Sequence, residues 1–88
     1  MENSFLAMKV SFCVQFFKIA QEIGVDYEQM REIFVADPRI NPSHTFVYAD
    51  TPYWSSHCLN KDVTAIAATH YAPLLDSIIE FNESCKVP

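Results

Sequence analysis

Glycine is nearly absent from these 88 residues: Gly24 stands alone. Tight hairpin turns draw on glycine for positive φ, so a hairpin-rich sheet is not expected. C-x-x-C pairs are missing as well. The three cysteines, Cys13, Cys58 and Cys85, are odd in number and far apart. That pattern is neither a disulfide framework nor a zinc signature, and it points to a reducing, cytoplasmic compartment. Basic residues are few, six Lys and Arg against eleven Asp and Glu, for a formal net charge of -5. Such a balance argues against nucleic acid as a partner. It still leaves room for a small anionic ligand held by one arginine and a helix N-terminus. An uninterrupted apolar run is also lacking. Lys9 and Gln15 break the stretch from Phe5 to Phe17, Lys18 follows it, and Glu2 stands where a signal peptide carries basic residues. Neither a signal peptide nor a membrane span is read here.

What is present is apolar and aromatic. Half the residues are hydrophobic, with seven Phe, four Tyr and one Trp. A chain this short forms one domain, residues 1–88, and buries only about 60–65% of its unfolded surface. The surplus apolar surface must pack tightly or be shared with a partner.

The spacing predicts an all-α fold. Ser4 to Ile23 reads as one long helix, with Gly24 at the C-cap position. Its apolar residues cover well over half the circumference, so burial on most sides is expected, part of it by another subunit or domain. Asp26 with Gln29 resembles a capping box and starts a second helix to about Ala36. Val25, Met30, Ile33 and Phe34 form its expected buried stripe, and Asp37-Pro38 ends it. Arg39 to Ser56 reads as a long irregular loop, usually a sign of function or disorder, and its aromatics argue against disorder. Thr45 to Tyr48 is a candidate short extended piece. Asn60 is the expected N-cap of a third helix to Thr69, burying Val63, Ile66 and Ala67. Pro73 opens a fourth, with Leu74, Leu75, Ile78, Ile79 and Phe81 as its apolar face.

One segment carries chemistry. In Ser55-Ser56-His57-Cys58-Leu59-Asn60-Lys61-Asp62 a cysteine ends a polar, aromatic loop just before the expected helix start. A helix N-terminus favours thiolate over thiol, and Lys61 adds to that field. Cys58 is therefore a candidate nucleophile. The other cysteines are weaker candidates: Cys13 reads as a small buried hydrophobe and Cys85 lies near the terminus. His44, His57 and His70 have no metal-ligand spacing. His57 is discounted as a base for Cys58, because sequence neighbours rarely point at each other.

The chain resembles the central domain of the UDP-glucose/GDP-mannose dehydrogenases over nearly its whole length. Asn3-Ser4-Phe5-Leu6-Ala7 is similar to that family's N-x-F/Y-L-A helix start, and Gly24-Val25-Asp26 to its G-A/V-D turn. Asp37-Pro38-Arg39-Ile40 resembles D-x-R-I, Cys58-Leu59-Asn60-Lys61-Asp62 resembles C-L/F-x-K-D, and Leu75 to Glu83 resembles the closing helix. The resemblance implies oxidation of a nucleotide sugar's C6 alcohol to a carboxylate, with NAD as oxidant. It makes Cys58 the nucleophile that forms a thiohemiacetal and then a thioester. It gives Asp62 a part in water activation and site organisation, and Asn3 a part in stabilising the oxyanion. Arg39 would reach the substrate of a neighbouring subunit, and Lys61 is the motif lysine at the substrate side. A homodimer through the first helix is implied, which the apolar circumference of that helix favours independently.

Departures from the family pattern are as specific as the matches. Thr51, Tyr53, Ser55 and Ser56 fall where the family's G-x-G-F/Y-G-G-x-C loop has glycines. Glycine permits positive φ and close approach to a ligand, so these side chains either block the sugar pocket or reshape it. The loop is a few residues longer than in typical members, and Asn60 stands where proline is common. The resemblance places the NAD-binding domain, and a lysine upstream of Asn3, outside these residues. No cofactor is expected on this chain, and no redox turnover by it alone. Plainer roles stand beside the catalytic ones. Asp62 suits a first helical turn, Lys61 a solvated face, and Arg39 a local pair with Asp37. The alternative function is a non-catalytic interaction module that kept the helical scaffold. A lone cysteine enzyme is disfavoured, since no base or oxyanion hole is evident in the sequence.

Overall fold

The computed structural model describes residues 1–86. Four helices follow in order: α1 (Glu2–Ile23), α2 (Tyr27–Val35), α3 (His57–Thr69) and α4 (Pro73–Cys85). No strand occurs among the described residues, and Thr45 to Tyr48 forms none. No helix among them is long and apolar enough to cross a membrane.

Local sequence sets most boundaries. Gly24 takes the left-handed conformation (φ 79°, ψ 28°) that ends α1. The Val25 N–H then donates to the Ala20 carbonyl at 2.9 Å. Asp26 caps α2, its carboxylate accepting from the Glu28 N–H at 3.2 Å. Pro73 opens α4, where its missing N–H costs no hydrogen bond. The start of α3 differs from expectation. Ser56, not Asn60, is the N-cap, with its hydroxyl accepting from the Leu59 N–H at 3.2 Å. The Asn60 N–H already makes a helical bond to the Ser56 carbonyl at 3.0 Å. Cys58 thus sits inside the first turn rather than before it.

α1 is the central element, packed against α2, α3 and α4. Its buried line is made largely of small residues, with Ser4, Ala7, Ser11, Cys13, Val14 and Ala20 all buried. Small side chains let the neighbouring backbones approach closely. One core cluster joins Ala7, Trp54, Leu59, Val63 and Ile78; a second joins Cys13, Ala20 and Tyr27. The large residues of α1 lie elsewhere. Phe5 and Phe12 remain 55% and 53% exposed, so the expected burial on most sides is not met within one chain. The predicted stripe of α2 is corrected likewise. Ile33, Phe34 and Val25 are exposed, Met30 is half-buried, and Tyr27 is the residue buried. α2 is only nine residues long and packs on α1 alone among the helices, and neither that contact nor the loop buries Ile33 and Phe34. On α4, Ile78 is buried and Leu74 is exposed. Cys85, set aside in the sequence as lying near the terminus, is buried.

The long loop from residue 36 to 56 is ordered by side chains rather than by a ladder. The Tyr27 hydroxyl donates to the Thr45 carbonyl at 2.7 Å, and Arg31 Nε donates to Thr45 Oγ1 at 2.8 Å. The same threonine hydroxyl donates to the Pro42 carbonyl at 2.6 Å. The Arg31 guanidinium covers the Phe46 ring at 3.8 Å from its centroid. Further along, Trp54 turns the chain back into the core.

Candidate active site

Cys58 is exposed on the first turn of α3 and lines a cavity of about 520 Å³. The opposite wall comes from α1, through Asn3, Leu6, Val10 and Val14. The loop closes the rest. No Lys, Arg, Asp or Glu lines this space. An uncharged wall around a thiol suits a neutral electrophile, since an anion would lose hydration there without a counter-charge.

Three of the five sequence-predicted residues come together. Asn3 and Cys58 share the cavity wall. Asn3 Nδ2 donates to Asp62 Oδ2 at 2.6 Å across 59 residues of sequence, tying the start of α1 to α3. This is a charge-assisted bond, and it fixes the amide plane of Asn3. One Nδ2 hydrogen is committed to Asp62, leaving a second for a ligand. Lys61 is exposed and does not line the cavity. Arg39 is elsewhere: its side chain is 86% exposed and pairs with Asp37 at 2.7 Å. The Arg39 side chain and backbone N–H together hold the Asp37 carboxyl below its usual range, while Arg39 itself is shifted up. Arg39 lines a different, apolar hollow of about 400 Å³ with Phe5, Phe12 and Phe34. Within one chain it does not approach Cys58's cavity.

The four residues in place of glycines all line the Cys58 cavity. None has positive φ; among described residues other than glycine only His44 does, at 63°. The loop therefore follows a path that needs no glycine, and the space beside Cys58 persists with Thr51, Tyr53, Ser55 and Ser56 in its wall. His44 also lines it, a residue that sequence spacing had set aside. Histidine is among the residue types that tolerate this backbone region, and strain of this kind gathers at functional loops.

Sequence reasoning missed what holds the loop. The Trp54 N–H donates to Asn82 Oδ1, and Asn82 Nδ2 donates to the Trp54 carbonyl, both at 2.9 Å. Trp54 Nε1 donates to Ser11 Oγ at 2.9 Å. A signal existed. Ser11 and Asn82 are polar residues on apolar helix faces, and a buried indole needs an acceptor.

A small helical domain that presents a cysteine at a helix start, beside an asparagine–aspartate pair from two helices, defines a class of thiol-bearing helical modules. The particular family follows from comparison with known proteins. Residues 1–84 match the UDP-glucose/GDP-mannose dehydrogenase family, central domain, and the chain belongs to that family. It is 33% identical over 87 residues to the GDP-mannose 6-dehydrogenase of Pseudomonas putida, covering 93% of this chain and 20% of that protein. The chain thus spans about a fifth of that relative's length. No solved structure matches it.

Proposed function

We propose that the chain supplies the substrate-loop and dimerisation module of an NAD-dependent nucleotide-sugar 6-dehydrogenase. The observation that carries this is the meeting of Cys58 and Asn3 on one cavity, with Asn3 held by Asp62. The described residues do not fit a dinucleotide themselves. They contain no strand, and the chain's one glycine caps α1 rather than cradling a phosphate. NAD would supply the oxidising power from elsewhere in a longer protein, and no step of it is placed on these residues.

The part of this chain is nucleophilic. The Cys58 sulfur adds to the C6 aldehyde carbon, the C=O π bond opens, and the oxygen takes the proton to give a thiohemiacetal. Asn3 lines the cavity, and its second N–H is the donor we assign to the developing oxyanion. Asp62 acts through Asn3, whose amide it orients from behind the cavity wall, and the part in water activation that the family resemblance gives it would run through that contact. Arg39 and Lys61, both solvent-facing here, would serve the substrate from outside this cavity, Arg39 in a neighbouring subunit. The three free cysteines accord with a cytoplasmic setting. A second reading, a non-catalytic interaction module, draws on the four side chains that replace the loop glycines.

The two readings part on one experiment. The 88-residue chain is incubated with the 6-aldehyde of GDP-mannose or of UDP-glucose, pulsed with iodoacetamide and mapped by mass spectrometry. Selective protection of Cys58 over Cys13 and Cys85 is expected. Equal labelling of Cys58 with and without either aldehyde would leave the interaction module standing.

A further inference from the structure

Four residues before Cys58 the loop crosses the core, and two helices grip it there. Trp54 is 4% exposed and Asn82 is 1% exposed. A buried main-chain N–H and C=O must find partners, and in Trp54 one side chain satisfies both. The indole N–H is anchored on α1 through Ser11. Both Trp54 and Cys58 line the same cavity, and only Ser55, Ser56 and His57 separate them. Ser56 is the cap on which the first turn of α3 depends.

We propose that Asn82, on the far helix α4, is the positioning residue for Cys58, acting through its paired hydrogen bonds to Trp54. This rests on the reading of Cys58 as the reacting thiol. The clamp supplies by side chains what a close-turning glycine loop supplies by backbone. With it in place, the Ser56 cap and the N–H groups beside Cys58 keep a fixed geometry toward the cavity. Without it, the loop swings from Trp54 onward and the first turn of α3 frays.

Substitution Asn82→Asp gives a specific test. An ionised aspartate accepts from the Trp54 N–H but opposes the Trp54 carbonyl with a second acceptor; a protonated one donates and accepts as the amide does. Burial raises the pKa of such a carboxyl. Asp50 and Tyr53 of the loop, Cys85 of α4, Lys86 just past it and Lys18 of α1 wall the neighbouring cavity. The wild-type chain over the same pH range controls for these groups. The readouts are the emission of Trp54, the chain's single tryptophan, and the rate at which a pyridyl disulfide modifies Cys58.

In Asn82→Asp at about pH 8 we expect red-shifted emission and Cys58 slowed about tenfold, the factor that one buried hydrogen bond represents. At about pH 5, where the carboxyl is protonated, the variant-to-wild-type rate ratio should return toward one. Wild-type-like Cys58 rates at both pH values overturn the proposal, as does a deficit that acid does not relieve. If Asn82→Asp loses its helical signal, Asn82→Ala, which removes both bonds to the Trp54 main chain without adding a charge, must slow Cys58 in the same direction; an unchanged rate sinks the idea. Failure of the parent reading looks different. There, the wild-type Cys58 shows no aldehyde protection, whatever Asn82 does.

Discussion

Asn3 and Asp62 illustrate what a single residue contributes at this site. Each was nominated by its motif, but their mutual bond was not legible, because 59 residues separate them. The bond changes the part Asn3 can play, since half of its donor capacity already serves the scaffold. Asp62→Asn removes the charge assistance while keeping the shape. The bond is partly solvent-exposed, so the loss in stability should be about 1 kcal/mol, read as a lower urea midpoint at unchanged slope. The chemical effect should exceed the structural one: aldehyde protection of Cys58 is expected to fall by about tenfold or more, because a misoriented donor loses its value at the reacting oxygen. A variant that loses stability yet protects Cys58 normally would reduce the pair to a strut between α1 and α3.

At the scale of elements, the helices were legible wherever one residue type fixes the backbone. Gly24 and Asp26 stand at their expected caps and Pro73 in its expected first turn, since positive φ, a capping carboxylate and a missing N–H each suit one place in a helix. Asn60 misled because it too is a good cap residue, placed just ahead of Val63, Ile66 and Ala67. The choice fell to Ser56 because Leu59 also packs into the core, which draws the helix one turn further back. Ser56→Ala should therefore cost about 1 kcal/mol in thermal or urea unfolding, and Asn60→Ala no more than about 0.5 kcal/mol. The loop was the least legible part, because bonds between distant residues order it. Tyr27 gives that order a pH dependence. Its phenol lies well above the ordinary value, chiefly through burial and then through a hydrogen bond with Cys13. The folded pKa is raised, so this stabilisation is whole below the unfolded value of about 10 and drains as pH climbs toward the folded one. Tyr27→Phe should flatten that alkaline decline in a melting series while lowering stability near neutrality by about 1 kcal/mol, for the lost bond to Thr45.

On the whole molecule, the apolar excess foreseen from composition gathers on one side of α1 and α2. Phe12 lies 5.0 Å from Phe16 and 6.3 Å from Phe34 between ring centroids, and all three are exposed, as is Phe5. Single exposed hydrophobes need no explanation, but a contiguous aromatic face does. The hollow bordered by Phe5, Phe12 and Phe34 also carries Arg39, the residue proposed above to serve a neighbouring subunit's substrate. If this face pairs with its copy, one contact would both cover the phenylalanines and carry Arg39 toward a second site. A stable pairing needs about 1,200–2,000 Å² of buried surface in total, which a helix of this length can provide on one face. Phe12→Asp puts a carboxylate in the centre of that face. Because Phe12 is half open to solvent in the single chain, the substitution should leave the monomer's helical signal intact. Sedimentation at micromolar concentration should move from dimer to monomer, with dissociation strengthened at least about tenfold, since a central aromatic anchor is worth more than one such factor. Phe46→Asp, on the loop rather than on α1, is the matched control and should leave the dimer in place. A wild-type chain that sediments as a monomer, or a Phe12→Asp chain that remains dimeric, would require another cover for these rings and another route for Arg39.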